Sequence, residues 1–447
     1  MSTRAPLSAR AGRWAPLTHL TAGVVLGLVV LVAGALAGRA DVAALGVAPF
    51  LGGVLAWTRR PVGLLEVELR APDQLTARGE LRAPAVLVAP SGVRAARLRS
   101  SSPGTRPEER LVRLHPGEAR EMALATRSAR TGENQLFRLD AVGLGEGQAT
   151  AGEVLTVGPA TVLVLPGQRP LADLPLPPRL QGLVGPHSAR RIGDGTELYD
   201  INLFRPGDRL RRIDWRTSAR RGQQGGRLQD LYVRRTMSTA EATVVLVIDS
   251  RDDVGPDVTT WAGGREVLTS DVTSLDIARE AAASLARAYL EQGDRVGLED
   301  LGLRRRPVRP GGGRRHLERI VRRLALSAPE GTPSPRVRAP QVPSGALVVV
   351  LSTFLDDEPM RMAMEWRHQG HRVVAVDVLP PVRGAQLAVR PLMAYRMVSM
   401  RRQDRLTAVR RGGVDVVRWA EDGPPPAGGR AQLAALARRR QHQGVAR

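Results

Sequence analysis

Between Leu17 and Gly38 the chain reads L-T-H-L-T-A-G-V-V-L-G-L-V-V-L-V-A-G-A-L-A-G, with no formally charged residue. At about 1.5 Å of rise per residue this run is long enough to cross the roughly 30 Å core of a bilayer as a helix. A second apolar run follows Arg39 and Asp41, from Val42 to Trp57, interrupted by Gly and Pro and closed by an indole suited to an interface. Together they predict a transmembrane hairpin over residues 17–58, preceded by a cytosolic tail at 1–16. A cleavable signal peptide is the rival reading. The first run is longer than an ordinary signal core, and a second follows it at once.

Past the hairpin the period changes. From residue 62 to 166 short alternating or β-branched runs (L-L-E-V-E-L-R, A-V-L-V-A, N-Q-L-F-R-L-D-A-V, E-V-L-T-V, A-T-V-L-V-L) are separated by Gly, Pro, Ser and Asp. They predict a small antiparallel β-sandwich-like domain, with Arg97–Arg110 as a loop within it. Residues 167–240 begin as a Pro-rich link and continue into a dense arginine and aspartate segment. Over 241–380 near-continuous apolar strands such as T-V-V-L-V-I-D alternate with helical spacing. Ser274 reads there as an N-cap, with Asp276 in the first turn and a stop at Gly293. That alternation predicts a doubly wound α/β domain whose crevice lies at the carboxyl ends of its strands. Residues 381–447 read as a mixed segment, a Pro-Gly linker at Gly423–Gly429 and a basic helix near Ala431–Gln441. The fold class is therefore α/β plus β behind a membrane hairpin.

Charge orients this arrangement. Arg4, Arg10 and Arg13 precede the first span and Arg59 and Arg60 follow the second, while Arg39 and Asp41 balance in the connection. The positive-inside rule then puts both termini in the cytoplasm of a two-span membrane protein. The net charge of +22 on 447 residues is carried by arginine with no lysine, which favours anionic partners such as lipid headgroups or an acidic protein surface and makes an anionic-lipid or nucleic-acid binder an alternative function. Aromatics amount to only 3%, so the stacking platforms of single-strand nucleic-acid binders are missing and no nucleic acid is expected. Without cysteine there is no disulfide, Cys-based zinc site or thiol nucleophile.

Two constellations carry candidate chemistry. Asp249 ends the first strand of the α/β segment and Asp252 and Asp253 follow it. Ser352, Thr353, Asp356 and Asp357 end a later strand. Oxygen ligands gathered from two strand-end loops suit Mg²⁺, with Asp249 and Asp253 as the metal candidates; solvated loop carboxylates and helix caps are the alternative. The Mg²⁺ reading would allow phosphoester hydrolysis. No histidine is placed by sequence to serve Ser188 or Ser218 as a base, so no catalytic residue is assigned. The second constellation is R-P-G-D-R-L-R-R-I-D-W-R-T-S-A-R, from Arg205 to Arg220, where arginines alternate with carboxylates and an indole. It reads as a buttress between the β and α/β domains, with Asp208, Asp214 and Arg220 pairing internally.

The longer stretch G-D-G-T-E-L-Y-D-I-N-L-F-R-P-G-D-R-L-R-R-I-D-W-R-T-S-A-R resembles the signature of the DUF58 family. The match runs through Gly193, Gly195, Glu197, Pro206, Gly207, Asp208, Arg211, Ile213, Asp214, Trp215, Ser218, Ala219 and Arg220. Asn202, Phe204 and Arg209 depart from it. The resemblance implies a von Willebrand factor A-like α/β domain, although the D-x-S-x-S metal motif of such domains is represented only by Asp249, Ser250, Arg251, Asp252 and Asp253. It also implies a membrane-held, non-enzymatic adaptor working beside a MoxR-type AAA+ ATPase and a transglutaminase-like membrane protein. Because both ligand serines of the metal motif are lost, no cofactor is expected, Mg²⁺ being the one candidate.

Overall fold

The computed structural model describes residues 6–72, 74–76, 81–103, 105–127, 130–178, 180, 185–224, 227–261, 267–268, 270–302, 306–331, 336–383, 388–419 and 428–445. Most of the Pro-Gly linker read at Gly423–Gly429 lies outside them. Two compact units meet in sequence at Leu165 and Pro166. The arginine-rich signature segment falls in the second unit, with the α/β elements.

The apolar runs of the first unit form helices α1 (Thr18–Leu36) and α2 (Ala40–Thr58), each 19 residues long and apolar enough to cross a membrane. Their contact is made by glycine. Gly27 and Gly34 are the only buried residues of α1, and Gly46 and Gly53 the only ones of α2. A Cβ on Gly34 would stand 2.3 Å from the Ala43 nitrogen and one on Gly46 would stand 2.4 Å from the Gly27 carbonyl oxygen. Removing side chains at one-face spacing lets the two backbones touch, which is how helices associate where apolar side chains gain nothing by leaving lipid.

Residues 7–16, read from sequence as a tail, are strands. Leu7–Ala11 pairs antiparallel with Leu65–Leu69, from Leu7 opposite Leu69 to Ala11 opposite Leu65. Trp14–Pro16 pairs with Thr150–Gly152. The hairpin is thus inserted between strands of one β-domain. That domain has a four-stranded sheet and a six-stranded sheet, with a third of three strands, sharing a core that includes Val67, Leu87, Leu98 and Leu139. Arg97–Arg110 also differs from its reading as a loop, because Val93–Ser101 and Glu108–Arg113 form a hairpin with Arg97 opposite Leu111. Arginines on the solvent face hid the alternation.

In the second unit six strands form one sheet, in the order Val308–Gly311, Arg295–Asp300, Thr243–Ile248, Leu347–Ser352, Arg372–Asp377 and Asp415–Arg418. All neighbours are parallel except the edge strand Val308–Gly311. Thr243–Ile248 and Leu347–Ser352 are buried at every position, which explains their unbroken hydrophobicity. Helices α6 (Glu358–His368) and α7 (Val389–Arg411) cover the face that presents Val245, Val247, Val348 and Val350, through Met362, Trp366, Leu406 and Val409. Helix α4 (Ser274–Glu291) lies against the three central strands, and α5 (Arg314–Ala325) packs beside it. The N-cap of α4 is Thr273 rather than Ser274, in a capping box with Asp276. A further helix, α8, spans Gly429–Val445.

The chain runs from Thr243–Ile248 to one neighbour, Arg295–Asp300, and later returns to the other, Leu347–Ser352. Strand order therefore reverses beside Thr243–Ile248, the position at which open α/β sheets place their ligands, and the strand ends there lead into Asp249 and Ser352.

Candidate functional site

At these strand ends three carboxylates, of Asp249, Asp356 and Glu358, surround the guanidinium of Arg251. Arg251 donates from Nε to Asp249 Oδ1 at 2.8 Å and from Nη2 to Asp249 Oδ2 at 2.9 Å, a bidentate pair. The same side chain reaches Asp356 Oδ1 at 3.1 Å and Glu358 Oε2 at 2.8 Å. Ser352 donates its hydroxyl to Asp249 Oδ2 at 2.7 Å. Both oxygens of Asp249 are therefore engaged. Asp253 accepts from the backbone N–H of Leu275 at 3.3 Å near the start of α4. Among the described residues no group of three His, Asp or Glu side chains is arranged to hold a metal ion. The donor set does not fit Mg²⁺: the cation that bridges the strand ends is Arg251 itself, and Asp253 serves as a helix-end acceptor. Asp249 and Asp253 thus hold different partners.

The side chains of Arg251, Asp249 and Glu358 are 8%, 5% and 8% exposed. Burial opposes the charge on Arg251, but its hydrogen bonds with Asp249 and the charges of Asp249, Asp356 and Glu358 outweigh that and hold it above its ordinary pKa. Glu358 was not singled out in the sequence. Its position just after Asp356 and Asp357, at the first turn of α6, is visible only as an acidic helix start.

Asp252 is left on the unfavourable side of this network. Burial, reinforced by Asp249 and Asp356, pushes its carboxyl above the usual range against the lowering influence of Arg251. A carboxyl whose folded-state value exceeds the unfolded one binds its proton more tightly in the folded chain. Its favourable contribution is present below the unfolded value and is lost as pH rises through the folded value. Asp252 therefore costs stability at neutral pH. The substitution Asp252→Asn is expected to raise Tm at pH 7, and the advantage should shrink when both proteins are melted below about pH 4, the ordinary carboxylate range. An equal difference at the two pH values would show that the charge is not the cause.

The signature segment forms a two-stranded ribbon, His187–Leu203 against Tyr232–Ala240, with a turn, a single 3₁₀ turn at Leu210–Arg212 and the short helix α3 (Trp215–Arg221) between them. The motif's glycines have local reasons. A Cβ on Gly193 would meet the Ser238 Cβ at 2.3 Å and one on Gly195 would meet the Met237 carbonyl oxygen at 2.5 Å, where the ribbon register is irregular. Gly207 has φ +105°, a conformation suited to the third position of a turn that starts at Arg205 and is closed by the Asp208 N–H on the Arg205 carbonyl at 2.9 Å. Pro206 fits the second position of that turn. Asp208 also accepts from the Arg205 N–H at 2.9 Å and from Arg235 at 3.0 Å. The Arg235 hydrogen bond, followed by that from the Arg205 backbone, lowers the Asp208 pKa.

These contacts revise the internal pairing read from sequence. Asp208 pairs with Arg235 on the far strand, while Arg220 is exposed. Asp214 caps α3 by accepting from the Thr217 N–H at 2.9 Å. Ser218 is fully buried and accepts from the Tyr232 N–H at 2.8 Å, so its hydroxyl is structural. Replacing Asp214 by Ala should therefore cost about 1 kcal/mol, the value of an N-cap, rather than the larger penalty of a broken buried ion pair. Chemical denaturation measures the difference, and a loss several times larger would restore the ion-pair reading.

Around this frame the signature presents its apolar groups to solvent. Trp215 is 63% and Leu210 68% exposed. Tyr199, Ile201 and Leu203 are also exposed; Ile201 and Leu203, two apart where the register is regular, share one face of the ribbon. Arg205, Arg209, Arg211, Arg216 and Arg220 are exposed in the same segment, and so is Glu197.

Residues 200–388 match the family described as "Protein of unknown function DUF58". The matched region begins within the first ribbon strand and ends one residue before α7. Uncharacterised proteins of Mycobacterium bovis (Mb1516) and Mycobacterium tuberculosis (Rv1480) are each 26% identical over 221 residues, which is 47% of this chain. The chain spans 63% of the length of those relatives.

Proposed function

We propose that this chain is a membrane-anchored, non-catalytic interaction protein whose signature ribbon docks a partner protein. The observation that carries the reading is the exposure of Trp215 and Leu210, with Tyr199, Ile201 and Leu203, in a segment that also exposes Arg205, Arg209, Arg211, Arg216 and Arg220. Large aromatic and aliphatic groups left in water at a segment otherwise fixed by hydrogen bonds are what a partner's pocket would cover, and the exposed arginines call for an acidic counterpart. The membrane hairpin and its arginine flanks support anchoring with both termini cytoplasmic.

The occupation of Asp249, Asp356 and Glu358 by Arg251 speaks for the non-catalytic reading, because it takes the carboxylates that phosphoester hydrolysis would need. The resemblance in the signature makes a MoxR-type AAA+ ATPase the partner to seek, with a transglutaminase-like membrane protein as a further member of the assembly. Purification of the full chain from its native membranes, with nucleotide present, is expected to bring an AAA+ ATPase with it in stoichiometric amount. Recovery of the solubilised chain without such an ATPase would overturn the assignment.

A further inference from the structure

We propose that the outward face of α7 binds the membrane surface and recognises anionic lipid headgroups. Val389, Met393, Met397 and Met400 follow one another at steps of four, four and three residues, the spacing of one helical face. Each is between 55% and 67% exposed. The other side of the helix is fixed to its unit. Tyr395 meets Trp261 edge to face with ring centroids 6.0 Å apart, Arg402 donates from Nε to the Thr353 carbonyl at 2.7 Å, and Leu406 and Val409 lie in the core. With α7 held by that side, the methionine stripe cannot turn inward.

Charge selects the occupant. On a helical wheel Arg390 and Arg401 border the stripe on one side and Arg396 borders it on the other, and all three are exposed. No acidic residue occurs from Val389 to Met400; Asp404, one turn further, is the first. An apolar stripe between two basic borders is the arrangement of a helix lying in a membrane interface, with stems and thioethers among the acyl chains and guanidiniums on phosphate oxygens. Methionine, unbranched and polarizable, fills an irregular surface of this kind well. A protein partner would need an apolar ridge between two acidic rows, whereas an anionic bilayer offers both everywhere. On the membrane-anchored reading the surface is also always at hand, since α1 and α2 belong to the same chain. The stripe lies beyond the family-matched residues, so this role is independent of the signature ribbon.

The test uses the full chain in nanodiscs of phosphatidylcholine alone, in nanodiscs also containing phosphatidylglycerol, and in detergent. The readout is the rate at which hydrogen peroxide oxidises Met393, Met397 and Met400, followed by mass spectrometry, with the buried Met362 as internal reference. Oxidation of the three methionines is expected to slow several-fold in the anionic discs and to return to the phosphatidylcholine rate in the variant Arg390→Gln, Arg396→Gln, Arg401→Gln. Met362 should be unchanged throughout. Equal rates in the two kinds of disc would overturn the proposal. So would protection that survives the triple substitution, or protection already complete in detergent, which would assign the stripe to a second copy or another protein. Loss of the AAA+ partner leaves these rates untouched, so this inference and the ribbon reading fail separately.

Discussion

Replacing Arg251 by Ser should destabilise the α/β unit by about 3–5 kcal/mol, the range for a buried ion pair that loses one partner. The reason is the neighbourhood it leaves behind. Asp249 and Glu358 are almost fully buried, and without the guanidinium their charges would face each other and Asp356 at the switch point of the sheet. The same variant has a second expected property. With the guanidinium gone, Asp249, Ser352, Asp356 and Glu358 become an oxygen-rich cluster open to a hard cation. Millimolar Mg²⁺ should raise its Tm by mass action while leaving the unsubstituted chain unchanged. Thermal melts of both proteins with and without Mg²⁺ decide the matter. Stabilisation of the unsubstituted chain by Mg²⁺ would show that a metal coexists with Arg251, and the reading of a built-in cation would fall.

The second large effect concerns binding alone. Trp215→Ala, alone or with Leu210→Ala, should cost about 2 kcal/mol or more of partner affinity, roughly 30-fold, as for a truncated interface hot spot. Both side chains are mostly exposed, so Tm should move little, surface substitutions usually falling within about 0.5 kcal/mol. Quantitative co-purification and a melt on the same preparation separate the outcomes. Retained binding removes the ribbon from the interface. A fall in Tm with retained binding would return the segment to a buttress.

Legibility in the sequence followed the range of the interactions. The strands Thr243–Ile248 and Leu347–Ser352 could be read because burial on both faces leaves an unbroken apolar run. The stop of α4 at Gly293 could be read because its backbone, at φ +87°, demands glycine locally. What escaped was set at a distance. Asp208 finds Arg235 across the ribbon and Asp249 shares Arg251 with Glu358 at the start of α6. The strand L-S-A-R-A is too short and too arginine-rich to show itself without its partner at Leu65–Leu69. Helix α7 was hidden for a different reason. Its buried Leu406 and Val409 and its exposed methionines lie on different faces, so the two apolar sets cancel in any single-face periodicity.

During synthesis, residues 7–16 leave the ribosome before either apolar helix, yet the strands they pair with, Leu65–Leu69 and Thr150–Gly152, come after both. On the membrane-anchored reading the first sheet cannot close until α1 and α2 have entered the bilayer and returned the chain to the side it started from. An insertion that stopped after α1 would strand Leu7–Ala11 across the membrane from Leu65–Leu69 and leave a sheet edge open to aggregation. On that reading β-pairing checks the topology, and the arrangement of α1 and α2 in the bilayer would be a condition for the β-domain to fold.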